Sequence, residues 1–170
     1  ASLVHPNVVQ VFRFGRIPEG TPYLVMRFVK GRTMEERLQA EGQLPTELVR
    51  KVLRDVADAL TAAHARGIVH RDVRPANVLW DEEDGSAHLT DFGIAALLVS
   101  MEDETSRLTQ TGQMIGDPRY LSPEQLRDED ITPMVDMYAF GVMGYELYSG
   151  EGPYAARTNT QLIAGHLSGE

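Results

Sequence analysis

Short β-rich runs occupy the first part of the chain, and longer stretches with helical periodicity follow them. Residues 8–14 (VVQVFRF) and 23–29 (YLVMRFV) are rich in β-branched and aromatic side chains, and a loop with Pro and Gly separates them. These features predict an antiparallel hairpin. A second and tighter hairpin is predicted for residues 78–90, with Asp84 and Gly85 in its turn.

Two helices are predicted to follow the first hairpin. Thr33 and Glu36 form a capping box that starts a short helix, which Gly42 ends. Pro45 stands at the predicted first position of a longer helix, whose apolar side chains recur at three- and four-residue spacing up to Gly67. That spacing is typical of an amphipathic helix with one buried face.

The second half of the chain contains a loop without periodicity and two further helices. Residues 94–116 gather Ser and Thr and predict a long exposed loop. Residues 122–128 (SPEQLRD) and 132–149 each begin with a hydroxyl residue followed by proline, which is typical of a helix start. The longer helix is apolar nearly all round, with Asp136 and Glu146 as its only charges, so we expect it to be the buried spine of the domain.

Composition narrows the classes of protein to consider. The 170 residues, 42% of hydrophobic type, suffice for one compact core but not for two. A net charge of −9 and the lack of any basic run make nucleic acid an unexpected partner. The chain has no Cys, no leader and no apolar stretch of bilayer length, so we expect a cytoplasmic segment without membrane contact, within a parent that could be anchored. The chain opens at Ala1 without a start methionine and ends at Glu170 in a helix-like stretch, so we expect both ends to lie inside a larger domain.

Candidate chemistry concentrates in residues 70–77 (HRDVRPAN). The second hairpin should bring Asn77 and Asp91 side by side, with their oxygens aimed at one point beside Asp72. An amide oxygen and a carboxylate with open positions suit Mg²⁺, which usually shares its ligand shell with substrate phosphates. Asp72 could take a proton from a hydroxyl, and Arg74 could face charge on a transferring phosphoryl group. These residue types fit phosphoryl transfer.

Six motifs follow one another along the chain: HPNVVQVF (5–12), YLVMRFVKGRTM (23–34), HRDVRPAN (70–77), DFG (91–93), SPE (122–124) and DMYAFG (136–141). In this order they resemble the protein kinases, and within them the bacterial receptor-like serine/threonine kinases. The resemblance covers essentially the whole chain.

The resemblance implies an α+β, protein-kinase-like fold and a single partial catalytic domain over residues 1–170. Residues 1–29 resemble the end of the N-lobe and the hinge. Residues 30–170 resemble the helical C-lobe without its last helices. The glycine-rich loop, the strand lysine and its partner glutamate of the family have no counterpart in the chain, so we expect it to be inactive by itself.

The resemblance also implies catalytic roles and cofactors. Asp72 is similar to the catalytic base, and Arg74 stands where the family usually has a phosphate-contacting lysine. Asn77 and Asp91 resemble the Mg²⁺ ligands. The implied cofactors are ATP and Mg²⁺, and the implied partners are proteins with Ser or Thr acceptors. A dimer of two kinase domains in the parent protein is compatible with this family.

Four residues are implied to surround the nucleotide base. Met26 resembles the gatekeeper, although from the residues alone an ordinary core position is the favoured interpretation. The backbone of Arg27 and Val29 resembles the adenine-binding hinge, and Leu79 the apolar floor beneath adenine.

Regulation is implied by the arginine that precedes the catalytic aspartate. Kinases with such an arginine, here Arg71, hold a phosphorylated activation loop through it. Thr109 and Thr111 are therefore candidate autophosphorylation sites. Ordinary solvated loop residues are the equally weighted alternative.

Other motif residues are expected to be structural. We expect His70 to stack against Phe92, and buried Asp136 to accept hydrogen bonds from backbone N–H groups of the catalytic loop. Glu124 lacks the arginine with which the family pairs it, which predicts a destabilising buried carboxylate. The acidic turn 81–84 is expected to be a solvated face and not a metal site.

Two departures from the family pattern leave alternatives open. Arg74 replaces a lysine, and Asp117 replaces a threonine that normally contacts the catalytic aspartate. A second carboxylate beside Asp72 needs a cation, so we hypothesise a compensating ion pair between Arg74 and Asp117. The alternatives to a kinase are a pseudokinase that binds partners without catalysis and a small-molecule phosphotransferase of related fold. The long threonine-bearing loop and SPE disfavour the latter.

Overall fold

The computed structural model describes residues 3–92, 116–154 and 158–169, which form a mixed fold of five strands and five helices. The predicted α+β class is confirmed. The strands are β1 (Val11–Arg16), β2 (Pro22–Met26), β3 (Gly31–Thr33), β4 (Val78–Asp81) and β5 (Ser86–Leu89). The helices are α1 (Met34–Glu41), α2 (Thr46–His64), α3 (Pro123–Leu126), α4 (Met134–Ser149) and α5 (Asn159–Ser168), with a 3₁₀ turn at Pro75–Asn77.

Strands β1 and β2 pair antiparallel as predicted, but each is shorter at one end than the sequence pattern indicated. β1 begins three residues late because the backbone N–H of Val9 donates to the carbonyl of Leu89 in β5, at 2.9 Å. β2 ends at Met26, and the chain then crosses to a second sheet. The predicted strand at residues 27–29 is therefore wrong.

The second sheet has the antiparallel order β3-β4-β5. The tight β4–β5 hairpin is confirmed, with Gly85 at a φ of 65° in its turn. Strand β3 was not predicted because its three residues, Gly-Arg-Thr, carry no apolar pattern. A Cβ on Gly31 would lie 1.8 Å from the carbonyl oxygen of Trp80, so β3 can approach β4 only with glycine at this position.

The predicted starts of α1 and α3 are confirmed, whereas α2 and α4 each begin one residue after the predicted first position. The capping boxes of Thr33 with Glu36 and of Ser122 with Gln125 are both present. Helix α2 starts one residue later than predicted, because Pro45 has extended backbone angles and is the residue before the first turn.

Helices α2 and α4 contact each other, and α2 also lies against β5. Val135 and Met143 of α4 are buried in this core. The expectation that α4 is the buried spine is met on one face only, because Met134 is 63% exposed and Tyr145 is 53% exposed. No element within residues 3–92, 116–154 and 158–169 covers that face. None of the helices in these ranges is long and apolar enough to cross a bilayer.

Candidate active site

The loop between α2 and β4 is held by one buried carboxylate. The backbone N–H groups of His70 and Arg71 donate to the two carboxylate oxygens of Asp136, at 2.8 and 2.7 Å. His64 Nε2 lies 2.7 Å from Oδ2 of the same side chain, which is fully buried. The predicted backbone partners of Asp136 are confirmed. His64 was missed, although its place in the last turn of α2 was visible in the sequence.

His70 is packed inside the protein, as expected for a residue with a structural role. Its Nε2 lies 2.7 Å from the carbonyl oxygen of Thr90, and Nδ1 accepts from the N–H of Asp72 at 3.2 Å. The ring meets that of Phe92 edge-on, with centroids 4.5 Å apart. Burial lowers the pKa of His70, so the imidazole is neutral near pH 7 and holds the loop in place.

Asp72 is positioned by Asn77 and remains open to the cleft. Asn77 Nδ2 donates to Oδ2 of Asp72 at 2.7 Å and to its backbone carbonyl at 2.8 Å. The side chain of Asp72 is 38% exposed, whereas Asn77 is buried. Because the amide nitrogen of Asn77 is used on Asp72, its amide oxygen is the atom suited to a cation.

The hairpin places the backbone of Asp91 directly after the residue that pairs with Asn77, whereas the predicted convergence of their side-chain oxygens stays a prediction. The N–H of Thr90 donates to the carbonyl of Asn77 at 2.9 Å, so Asp91 follows directly after the end of the pairing. Asp91 has a φ of 66°, an unusual value for a residue other than glycine. An amide oxygen and a carboxylate are ligand types that suit Mg²⁺, so Asn77 and Asp91 are the residues whose chemistry fits the ion.

The hypothesised ion pair between Arg74 and Asp117 is confirmed. Arg74 Nη1 lies 3.2 Å from Oδ2 of Asp117, and Arg74 Nε lies 3.5 Å from Oδ2 of Asp72. One cation therefore separates the two carboxylates. Together with Gly116 these side chains line a cavity of about 430 Å³.

Arg119 is a charged residue of this site that was not predicted from the sequence. Its Nη2 lies 2.6 Å from Oδ2 of Asp117 and 3.1 Å from Oε1 of Glu35. Burial raises the pKa of Asp117, but hydrogen bonds from Arg119 outweigh that effect and keep the pKa below its usual value. The sequence signal that could have identified Arg119 is its position two residues after Asp117.

The residues expected around adenine lie in β2, in the segment between β2 and β3, and in β4. Met26 is 38% exposed, so the interpretation of an ordinary core residue is wrong, and its sulfur lies 3.7 Å from Oγ1 of Thr90. The N–H of Arg27 donates to the carbonyl of Gln10. Val29 is buried, and Leu79 in β4 is partly exposed. Their roles toward a nucleotide stay predictions.

The acidic turn is only in part the solvated face that was expected. Asp81 is 3% exposed and pairs with Nη2 of Arg27 at 3.2 Å, whereas Asp84 is exposed. Ligand atoms of Asp81, Asp84 and His88 lie within 4.8 Å of one another. His88 was not recognised as a neighbour because it lies on β5.

The remaining predicted residues have mixed outcomes. Arg71 is exposed and has a φ of 71°. Thr109 and Thr111 lie outside the described residues. Glu124 is partly exposed, so the predicted buried, unpaired carboxylate is wrong. It lies in the first turn of α3, at the surface.

Comparison with known proteins identifies the family. The protein kinase domain family matches residues 1–169, so the chain belongs to the protein kinases. The probable serine/threonine-protein kinase PknB of Lactococcus lactis subsp. lactis (strain IL1403) is 40% identical over 167 residues, which are 98% of this chain and 26% of that protein. The serine/threonine-protein kinase PrkC of Bacillus subtilis (strain 168) is 35% identical over 170 residues, covering 100% of this chain and 25% of that protein. The chain thus spans about a quarter of the length of these relatives.

Proposed function

We propose that residues 1–170 are part of the catalytic domain of a protein serine/threonine kinase, with residues 1–29 in the N-lobe and hinge and residues 30–170 in the C-lobe. The reaction is transfer of the γ-phosphoryl group of ATP to a Ser or Thr hydroxyl of a protein. The observation that carries this proposal is the 2.7 Å hydrogen bond from Asn77 to the cleft-facing carboxylate of Asp72.

Each side chain has a definite part in this reaction. Asp72 accepts the proton of the acceptor hydroxyl, because its carboxylate is open to the cleft and is held by Asn77. Asn77 and Asp91 would hold Mg²⁺, which supplies charge neutralisation at the phosphates when bound. Arg74 faces the transferring phosphoryl group from a position 3.5 Å from Asp72.

Activity of these residues depends on nucleotide binding. The 170 residues contain no counterpart of the glycine-rich loop and strand lysine of the family, so the chain by itself transfers phosphate negligibly. The full-length protein, in which we propose that these parts are supplied, is the active form. Dimerisation of kinase domains in that protein stays a prediction.

The test is Mg²⁺-dependent transfer of labelled γ-phosphate from ATP to the full-length protein itself and to a generic basic protein. Asp72→Asn should reduce transfer by roughly 10²-fold or more because the base is lost. The expected label lies on Thr109 or Thr111. Transfer that is unchanged by Asp72→Asn would contradict the proposed base.

A pseudokinase is the second candidate, and one observation favours it. The guanidinium of Arg74 is paired with Asp117 at 3.2 Å, so part of its charge is already used. A folded full-length protein that binds partners but transfers no phosphate to itself or to other proteins would support this alternative.

A further inference from the structure

Arg119 occupies a recess formed by three carboxylates from three separate parts of the chain. Glu35 belongs to the first turn of α1, Asp117 precedes α3, and Glu146 belongs to α4. The guanidinium lies 3.1 Å from Glu35, 2.6 Å from Asp117 and 3.8 Å from Glu146. It also lies 5.2 Å from the ring centroid of Tyr120. We name these three carboxylates the acidic recess.

The acidic recess is built for a cation. Side-chain exposure is 16% for Asp117, 11% for Glu146 and 30% for Glu35, whereas Arg119 is 44% exposed. Three partly buried carboxylates without a cation would repel one another and lose hydration. Arg119 offsets that repulsion with the planar fork that carboxylates bind best.

The acidic recess is continuous with the catalytic cleft through successive ion pairs. Asp72 contacts Arg74, Arg74 contacts Asp117, and Asp117 contacts Arg119. Asp117 lines the cavity that holds Asp72, so it belongs to both the cleft and the recess. An extended acceptor peptide advances about 3.3 Å per residue. A side chain within a few residues of the acceptor hydroxyl therefore reaches the recess.

We propose that Arg119 is a specificity-determining residue that prevents basic side chains of the acceptor protein from binding in the acidic recess. It does so because its own guanidinium takes the contacts that a substrate Arg or Lys would make. The preferred substrates are Ser or Thr segments without a basic residue at the position that meets the recess. This inference rests on the proposed function.

The experiment compares peptides on the full-length protein. One Thr peptide is the parent, and in each other peptide a single flanking residue is changed from Ala to Arg. The readout is the ratio of kcat/KM for each Arg peptide to that for the parent, because a ratio is insensitive to an overall loss of rate. Wild type should give no ratio above one, and Arg119→Ala should raise the ratio at one position roughly three- to tenfold.

Three further variants make the outcome specific. Arg119→Ala with Glu35→Gln should lose part of the gained preference, because Asp117 and Glu146 remain, and Arg119→Lys should behave as wild type. Arg66→Ala removes an exposed arginine outside the recess and should change no ratio. If Arg119→Ala fails to fold, Arg119→Gln keeps much of the volume and is expected to give the same gain.

The two proposals fail in different ways. If wild type phosphorylates no peptide, the proposed function fails, and anisotropy of fluorescent Arg and parent peptides then tests the recess by binding alone. If wild type is active and Arg119→Ala shows the wild-type ratios at every position, the specificity role of Arg119 is overturned. A wild-type preference for Arg at the position that gains in Arg119→Ala would also overturn it.

Discussion

Asp136 and Asp117 are two carboxylates held in opposite ways. Asp136 is fully buried and accepts from backbone N–H groups of the loop between α2 and β4, with His64 as an additional partner. Asp117 is at the cleft and is held by the side chains of Arg74 and Arg119. Backbone donors are present whatever the side chains are, whereas ion pairs exist only with particular residues. The backbone donors around Asp136 therefore set the shape of the loop. The ion pairs around Asp117 depend on the particular side chains at the cleft.

The largest expected effect is on the buried carboxylate. Asp136→Ala leaves two backbone N–H groups and His64 without their acceptor, so the free energy of unfolding should fall by about 3–5 kcal/mol. Urea unfolding of the chain, followed by the fluorescence of its single tryptophan, Trp80, measures this loss. Asp58→Ala, an exposed position on α2, is the matched control. A loss as small as that of the control would mean that the comparison between the two carboxylates is mistaken.

The next effect concerns rate. Arg74→Ala in the full-length protein should lower kcat by about 10²-fold, because under the proposed function Arg74 is the cation that faces the phosphoryl group. Arg74→Lys should recover most of the rate, since the charge is retained even though the fork geometry is lost. Steady-state kinetics on one Thr peptide measures both. Equal loss in the two variants would show that pairing geometry with Asp117 matters more than charge.

The stability contributed by Asp117, the ion-paired carboxylate, should depend on pH. The folded-state pKa of Asp117 is lowered, so its contribution to stability is present above the unfolded pKa of about 3.9 and is lost as pH falls through the folded value. The stability gap between wild type and Arg119→Ala should therefore narrow in acid. Urea midpoints at about pH 6 and about pH 3 measure the gap. Glu41 and Asp84, whose pKa values are also lowered, titrate equally in both proteins. A gap that stays constant between the two pH values would contradict the assignment.

The smallest effect is expected at the rim of the acidic recess. Glu35→Gln removes one partner of a partly exposed ion pair, so the loss of stability should be below about 1 kcal/mol and should shrink in high salt. Urea unfolding at low and high salt measures it. Glu47→Gln, whose pair with Arg50 is within α2, is the matched control. If the free energy of unfolding fell by several kcal/mol, Glu35 would resemble the buried Asp136 and not an ion-paired residue at the rim.

Local features were predictable because adjacent residues determine them. The capping box of Thr33 with Glu36 and the turn at Gly85 involve backbone groups only a few residues apart. The buried partners of Asp136 were also predictable, because an unpaired charge on an apolar helix has a high cost. The positions of Asp72 and Asn77 in the loop were predictable from the motif HRDVRPAN.

Pairings between distant parts of the chain were decided by the tertiary structure. Strand β3 exists because β4 offers an edge, and Gly31 permits the close approach. The burial of Asp81 and the exposure of one face of α4 depend on which elements lie against them. The meeting of Glu35, Asp117 and Glu146 around Arg119 has no local signature, because these carboxylates come from separate elements.

The sequence by itself determined the class of fold, the starts of α1 and α3, the turn between β4 and β5, and the ion pair between Arg74 and Asp117. Those features follow from backbone capping, steric freedom and charge compensation over short or motif-defined distances. The tertiary structure alone decided the sheet partners and the surroundings of Arg119. Long-range contacts depend on how complete elements pack, and that information is distributed over the whole chain.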